Sequence, residues 1–125
     1  MAQGLPSELS PPIAASVEEE PILFDFGPLL NANYGTGVYI SAVDAINVTA
    51  AVNPLSDPTP QSRLLVAGEI VPSQRVPSIL NGAVVAWFGT MVGNVTYQLQ
   101  CIVSLSDGKS HPSIEVRLPC YSPGA

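Results

Sequence analysis

The sequence predicts an all-β protein, an antiparallel sandwich of two sheets with about seven strands. The first observation behind this prediction is a pair of alternating apolar and polar runs in residues 94–118, joined by Asp107-Gly108. The second is a series of further short apolar runs, separated by segments rich in Gly, Pro and Asn. The third is that no convincing helical period interrupts the series, so sheets are expected to bury these residues against one another.

The paired runs are the most informative stretch, because strand side chains point to opposite faces at every second residue. Asp-Gly between two such runs predicts a tight hairpin with a primed turn. A turn at this dipeptide places Cys101 opposite Ile114. Two residues further along, Leu99 then lies opposite Val116. Both apolar sets share one face in this register, and a slip of one residue would turn one set towards water.

Four further strands are predicted upstream of the hairpin, each bounded by turn-forming residues. They cover residues 22–26, 38–50, 64–71 and 83–88. In the second of them, Asp44 interrupts the apolar face and predicts a bulge near the middle. The last is apolar on both faces, which is typical of a central strand or of one whose outer face meets another subunit. The predicted core contains Phe24, Phe26, Trp87, Tyr97, Leu99, Cys101 and Val116.

The chain of 125 residues and 13.0 kDa has room for one domain. We expect an extended, Pro-rich N-terminal arm over residues 1–21, a β-sandwich over 22–119 and a C-terminal tail over 120–125. The prolines exclude a continuous helix in the arm. Two interpretations of the arm remain open: a disordered tail, or a segment that becomes ordered on a neighbouring subunit. The second is favoured by regularly spaced apolar residues, the candidate contacts Leu5, Leu9, Ile13 and Val17.

Composition excludes several classes of partner. A net charge of −6 with four Lys and Arg residues argues against nucleic acid and against an anionic membrane surface. No apolar run approaches the roughly 20 residues of a membrane-spanning helix, and the first residues do not look like a secretory signal. We therefore expect synthesis in a cytoplasm. Charged residues make up only 11% of the chain, which favours a surface that partly faces other proteins.

The two cysteines do not predict an intrachain disulfide. In the expected register they lie about 20 Å apart along the hairpin, far beyond the roughly 7 Å between Cα atoms that a disulfide allows. Cys101 falls on the apolar face and is expected to behave as a small buried hydrophobe. Cys120 is expected past the last strand, in a flexible tail. It is either an unpaired thiol or the site of an intermolecular disulfide.

Residues that could carry catalysis are sparse. His111 is the single histidine, it precedes Pro112 in a turn, and no Cys lies near it at metal-ligand spacing. No serine sits in a strand-to-helix elbow, and no glycine motif that cradles phosphate is present. We therefore predict no enzymatic activity, no cofactor and no metal site.

Several motifs along residues 21–118 follow one another in a particular order. They are Phe24-Asp25-Phe26, Trp87, Gly89, Gly93, Tyr97 and the turn Ser106-Asp107-Gly108-Lys109. This order resembles a family of small virion proteins of tailed bacteriophages, which are described as fibre-to-tail adaptors or as related neck, tail and decoration components. The resemblance implies an immunoglobulin-like β-sandwich, and no catalytic residue comes with it.

The function that the resemblance implies is that of a non-enzymatic adaptor in the virion, joining fibre, collar or tail parts through repeated protein contacts. Its partners would be other virion proteins and further copies of the chain on a symmetric scaffold, after synthesis in the host bacterial cytoplasm. A capsid decoration protein is the alternative within the same family. Two alternatives come from other classes. One is a carbohydrate-binding module in which Trp87 and Tyr97 stack on sugar rings; the other is a small hydrolase that uses His111.

Overall fold

The structure is a computed structural model of the chain, and it describes residues 8–9, 13–14, 20–34, 37–74 and 79–121. A short helix, α1, follows the third strand, and two 3₁₀ turns lie between the fourth and fifth strands. The helix covers Gly27–Asn33, and the 3₁₀ turns cover Pro54–Ser56 and Pro60–Arg63. The strands are β1 (Glu8–Leu9), β2 (Ile13–Ala14), β3 (Glu20–Asp25), β4 (Ile40–Val52), β5 (Leu64–Val71), β6 (Ala83–Phe88), β7 (Thr96–Leu105) and β8 (Ser113–Tyr121).

The strands form two sheets, which confirms the predicted all-β two-sheet architecture. The larger sheet has the order β1-β8-β7-β4, with β2 also paired to β8, and the smaller sheet has the order β3-β6-β5. The long strands pair antiparallel within each sheet. By contrast, β1 and β2 pair with β8 in parallel. One cluster of buried apolar residues draws on both sheets and forms the core.

The hairpin of β7 and β8 has the predicted register. Cys101 pairs with Ile114, and Leu99 pairs with Val116. Every second residue of β7 is buried, and the residues between them are only partly exposed. The alternation in the sequence therefore identifies both the pairing and the buried face of this hairpin.

The turn of the hairpin lies where the sequence places it, but it is not a primed turn. Gly108 has a φ of 77°, whereas Asp107 is not among the described residues with positive φ. A primed type I′ turn needs positive φ at both central residues. Here the Asp107 carboxylate instead accepts hydrogen bonds from the backbone N–H groups of Lys109 and Ser110, both at 2.9 Å.

The predicted core residues are buried, with one exception. Trp87 is only half-buried, so its assignment to the core is wrong. β6 turns Val84, Ala86 and Phe88 towards the core, which places Val85 and Trp87 on the outer face of the smaller sheet. Both faces of this strand are apolar, so period-two alternation separates two sets of residues without saying which set faces inward. The buried predicted residues are Phe24, Phe26, Tyr97, Leu99, Cys101 and Val116.

Strand β4 carries three shifts in its pairing with β7. One of them lies between Val43 and Ala45, which confirms the bulge predicted at Asp44. Bulges bend a strand and increase its twist. They allow β4 to follow the curved edge of the larger sheet over 13 residues.

Helix α1 was not predicted, because Gly27-Pro28 is typical of a turn at the end of a strand. Pro28 is compatible with the first turn of a helix, where its missing N–H would have no intrahelical acceptor. Leu29 and Leu30 are buried and cover one end of the core. With 7 residues the helix is too short to show a helical period in the sequence.

The Asp25 carboxylate fixes the start of this helix. It accepts hydrogen bonds from the backbone N–H groups of Gly27 and Gln74, both at 2.9 Å. A Cβ atom on Gly27 would lie 2.7 Å from Ser73 Oγ, so a side chain does not fit there. Phe24-Asp25-Phe26 therefore combines two buried rings with a carboxylate that joins β3 to the loop after β5.

Apart from β1 and β2, the strands run from Glu20 to Tyr121, slightly beyond the predicted bounds of 22–119. Cys120 lies within β8 and is 5% exposed, so its predicted position in an exposed tail is wrong. Its backbone N–H donates to Val95 O at 3.0 Å, and its carbonyl accepts from Asn94 N–H at 2.9 Å. The strand continues past Pro119 because these backbone groups find partners before β7 begins.

Candidate protein-contact site

The N-terminal arm adds to the outer edge of the larger sheet. Two short segments of the arm pair with β8, and they supply backbone partners to an edge that would otherwise display unpaired N–H and C=O groups. Leu9 and Ile13 of the predicted arm contacts belong to these segments, whereas Leu5 and Val17 lie outside the described residues. The paired residues are Glu8 with Val116, Leu9 with Arg117, Ile13 with Cys120 and Ala14 with Tyr121.

The opposite edge of the larger sheet, β4, is covered by a side chain. Gln61 donates its Nε2 to Ile46 O at 2.8 Å and accepts Val48 N–H on its Oε1 at 2.8 Å. A carboxamide in this position imitates one peptide unit of a pairing strand. The middle of β4 is therefore closed to a further strand, while the β8 edge accepts one.

The outer face of the smaller sheet is apolar. Pro21 pairs with Trp87, which pairs with Val66, and in the next row Leu23 pairs with Val85. We call these five residues the Trp87 face. Val66 is 48% exposed and Pro21 is exposed, while the other three are partly buried. Glu69, which pairs with Val85, is the charged residue at its border.

The outer face of the larger sheet is polar by comparison. Gln98 donates to the Glu115 carboxylate at 2.9 Å across β7 and β8. Asn47 donates to Gln100 Oε1 at 3.3 Å across β4 and β7. Polar side chains that bond to each other and to water are typical of a solvated face. The Trp87 face is therefore the better candidate for contact with another protein.

A buried polar cluster joins the loop after β4 to the start of β7. The Tyr97 hydroxyl donates to Asp57 Oδ2 at 2.6 Å and accepts from Val92 N–H at 2.9 Å. Arg63 donates Nε and Nη2 to the two oxygens of the same carboxylate, at 2.9 and 3.0 Å. The backbone N–H of Thr59 donates a further hydrogen bond to Asp57 at 3.1 Å. The Asp57 side chain has no exposed surface.

The electrostatics of this cluster favour a structural role. The hydrogen bonds from Arg63 lower the pKa of Asp57 from 3.8 to about 2, against the opposing effect of burial. Burial, followed by the bond to Asp57, raises the pKa of Tyr97 from 10.0 to about 12. A carboxylate that stays charged and a phenol that stays neutral exchange no proton near neutral pH, whereas general acid–base catalysis needs a pKa near the working pH. The cluster therefore stabilises the fold.

Asp44, Ser104 and His111 lie together on the polar face of the larger sheet. Ser104 Oγ donates to Asp44 Oδ1 at 2.6 Å, and His111 Nδ1 lies 3.0 Å from Asp44 Oδ2 and 3.1 Å from Ser104 Oγ. In a nucleophilic triad the serine and the carboxylate bind opposite nitrogens of the ring. Here they share one nitrogen, and the serine hydroxyl donates to the carboxylate, so this geometry does not activate the serine.

The described residues line an open groove on the molecular surface. This groove has a volume of about 200 Å³ and lies between β4 and β5. Among these residues, no group of His, Cys, Asp or Glu side chains is placed to hold a metal ion. No helix in the described part of the chain is long and apolar enough to span a bilayer. The groove is lined by Val43, Asp44, Ala45, Ile46, Leu64 and Gly68.

Both thiols are free and buried. Burial raises the pKa of Cys101 to about 12, with a further contribution from Asp44, and raises the pKa of Cys120 to about 11. Disulfide chemistry proceeds through the thiolate, so neither thiol is poised to react. The intermolecular disulfide predicted at Cys120 was based on an exposed, mobile position, and the structure removes that basis.

Tyr97 is fully buried, so it cannot stack on a sugar beside Trp87 as the carbohydrate-binding alternative required.

No protein-family model, curated protein or solved structure matches the chain. The candidate site rests on the structure alone and consists of the paired arm, the β8 edge and the Trp87 face.

Sequence reasoning missed the importance of Asp57, Gln61 and Arg63. Pro-rich surroundings are typical of a loop, and the partners that give these residues their importance include distant ones, with Tyr97 40 residues from Asp57 and Ile46 15 residues from Gln61. One signal was available. A chain with four Lys and Arg residues carries an Asp and an Arg close together in this loop.

Replacing Tyr97 by Phe should lower the free energy of unfolding by about 2 kcal/mol, because Val92 N–H loses its acceptor and Asp57 loses a donor. Urea unfolding at pH 7 measures the change. Tyr121→Phe is the matched control, since Tyr121 is 50% exposed and its change should stay within about 0.5 kcal/mol. Equal stability of the two variants would contradict a structural role for the Tyr97 hydroxyl.

Stability should fall as the pH drops from about 4 to about 2. The pKa of Asp57 is lower in the folded chain, about 2, than its ordinary value of 3.8, so the unfolded chain takes up the proton first. The ionised Asp57 carboxylate contributes about 2 kcal/mol to the free energy of unfolding above pH 4, and this contribution is lost between pH 4 and pH 2. Urea unfolding from pH 2 to pH 6 should show a steeper acid limb for the unmodified chain than for Asp57→Asn.

The exposed Asp107 provides the comparison for this acid limb, because its pKa is also lowered to about 2, chiefly by a hydrogen bond from Ser110. Asp107→Asn should change the slope less than Asp57→Asn does, since solvent screens an exposed group. Identical slopes for the unmodified chain and Asp57→Asn would show that the buried pair does not produce the acid sensitivity.

Replacing Gln61 by Ala should open the middle of β4 and increase self-association, because Ile46 O and Val48 N–H lose their partner. Sedimentation velocity over a hundredfold range of protein concentration measures the effect. The control is Gln74→Ala, because the described hydrogen bond of that side chain is to the nearby exposed carbonyl of Pro72. If both variants remain as monomeric as the unmodified chain, Gln61 does not protect the edge.

Proposed function

We propose that the chain is a non-enzymatic structural component of a tailed-bacteriophage virion, an adaptor that joins fibre, collar or tail parts through repeated protein contacts. The observation that carries the proposal is the addition of the arm to the β8 edge by backbone pairing. A small domain whose terminal segment forms strands on a sheet edge can join neighbours by strand addition. The sequence resemblance over residues 21–118 supports the same function.

The strand order supports the immunoglobulin-like arrangement within this proposal. In that fold, strands B, E and D are neighbours in one sheet, and C, F and G are neighbours in the other. Taken in chain order from β3 to β8, the strands of this chain fall into the same two groups. Tyr97 supports it further, because the tyrosine corner of that fold bonds from the start of strand F to backbone a few residues upstream, as Tyr97 bonds to Val92.

The surface supports a connector better than a ligand-binding protein. The Trp87 face offers an apolar patch on the smaller sheet, and the paired arm lies on the edge of the larger sheet. A single contact through the arm or the Trp87 face is weak. When many copies sit on a symmetric scaffold, the first contact raises the effective concentration of the partner for the next one. A single half-buried tryptophan on the Trp87 face fits packing against another protein.

Mass spectrometry of purified particles tests the proposal directly, with heads and tails separated before digestion. Peptides of this chain in the tail and neck fraction are the expected result. Peptides confined to the head fraction would favour the decoration protein instead. Intact particles without the chain in either fraction would overturn the proposal.

Deleting residues 1–19 should reduce incorporation into particles about tenfold or more, because the arm pairing is lost. The sandwich should remain folded, since β3 begins at Glu20. Deletion of residues 122–125, beyond the end of β8, is the control and should leave incorporation unchanged. Equal incorporation of both truncated chains would remove the arm from the function.

A further inference from the structure

We propose that the β8 edge is a docking site for the N-terminal arm of a second copy of this chain, bound in the register seen within one chain. The inference goes beyond the proposed function, and it holds whether or not the chain belongs to a virion. It starts from the parallel addition of β1 and β2 to the edge of β8, between Val116 and Tyr121.

The arm and the edge are complementary through backbone pairing, and every copy of the chain carries both. An arm supplied by a neighbour makes the same hydrogen bonds in the same register as the chain's own arm. Exchange of an identical element is for this reason a low-cost route to association. Which copy supplies the arm then depends on reach and on local concentration.

The connection between the arm and the sandwich is long enough for exchange. β2 ends at Ala14 on the larger sheet, and β3 begins at Glu20 in the smaller sheet. An extended chain over these positions spans roughly 20 Å, whereas two packed sheets lie about 10 Å apart. An arm released from its own edge can therefore reach the β8 edge of a copy that lies directly beside it.

The pairing itself is divided into two short parts. Each paired segment has 2 residues, and the sequence between them contains Pro11-Pro12, which have no backbone N–H to donate. Two short pairings open more readily than one continuous strand. At the far side of the same sheet, Gln61 covers β4. Exchange is therefore directed to β8, where reciprocal exchange gives a dimer and exchange in one direction gives a ring or a row.

Cross-linking between two different full-length chains tests the proposal. One chain carries Leu9→Cys and the other carries Arg117→Cys with a tag that separates heterodimers from homodimers. These positions are paired in the observed register, and Arg117 is partly exposed. The native thiols are buried while the arm is paired, and oxidation of the unmodified chain measures any reaction at Cys120, which pairs with Ile13 of the arm. After co-expression and mild oxidation, a non-reducing gel should show a tagged heterodimer of about twice 13.0 kDa.

The matched control replaces Arg117→Cys by Glu115→Cys, which lies on the same face of β8 but two residues out of register. Its Cα atom falls beyond the roughly 7 Å that a disulfide tolerates, so we expect about tenfold less heterodimer. Urea unfolding confirms that each variant is folded.

A third chain, carrying both Leu9→Cys and Arg117→Cys, separates the remaining outcomes. If it closes completely into a bridged monomer while the mixed chains give no more heterodimer than the control, the arm stays with its own chain and the proposal is overturned. If no bridge forms in any combination, the register itself is overturned. Because the test uses purified protein, its failure is distinguishable from the absence of the chain in particles.

Discussion

The backbone groups along the outer edges of the larger sheet constrain the whole molecule. Every edge strand exposes donors and acceptors that will pair with whatever strand is offered, and a protein must cover them or use them. This chain does both. Gln61 covers the middle of β4 with a side-chain amide, while β8 is paired by two segments of the arm. The two edges of the larger sheet therefore differ: the β8 edge accepts a further strand, and the middle of the β4 edge does not.

The second constraint is the buried carboxylate of Asp57. Burying a charge is unfavourable unless it is paired and hydrogen-bonded. Arg63, Tyr97 and the backbone of Thr59 together satisfy this carboxylate. The same bonds hold the Pro-rich loop after β4 against the start of β7. They also hold Arg63, the last residue of the 3₁₀ turn that carries Gln61, so the covering of the β4 edge depends on this adjacent polar cluster.

The sequence predicts most of the fold, because alternation at period two identifies strands, and in β7 and β8 it also identifies their pairing. The sequence predicts less where one residue pattern is compatible with two different structures. β6 is apolar on both faces, so the assignment of Trp87 to the core was wrong although the strand was correct. Helix α1 packs two leucines against the core, but with 7 residues it is too short to show a helical period in the sequence. Cys120 continues β8 because Asn94 and Val95 offer backbone partners, which no local pattern reveals. The contacts of Gln61 with β4 and of Asp57 with Tyr97 are long-range and could not be deduced from neighbouring residues.

The burial of both thiols affects how the folded protein responds to oxidants. Both sulfur atoms lie inside the sandwich, one of them completely. Their protons are held more tightly than in water because burial disfavours the charged form, so oxidants in the surroundings meet no ready nucleophile. The folded domain should therefore keep the same covalent state in reducing and in oxidising surroundings. Its joints to other molecules would then rest on non-covalent contacts, which can be taken apart and formed again.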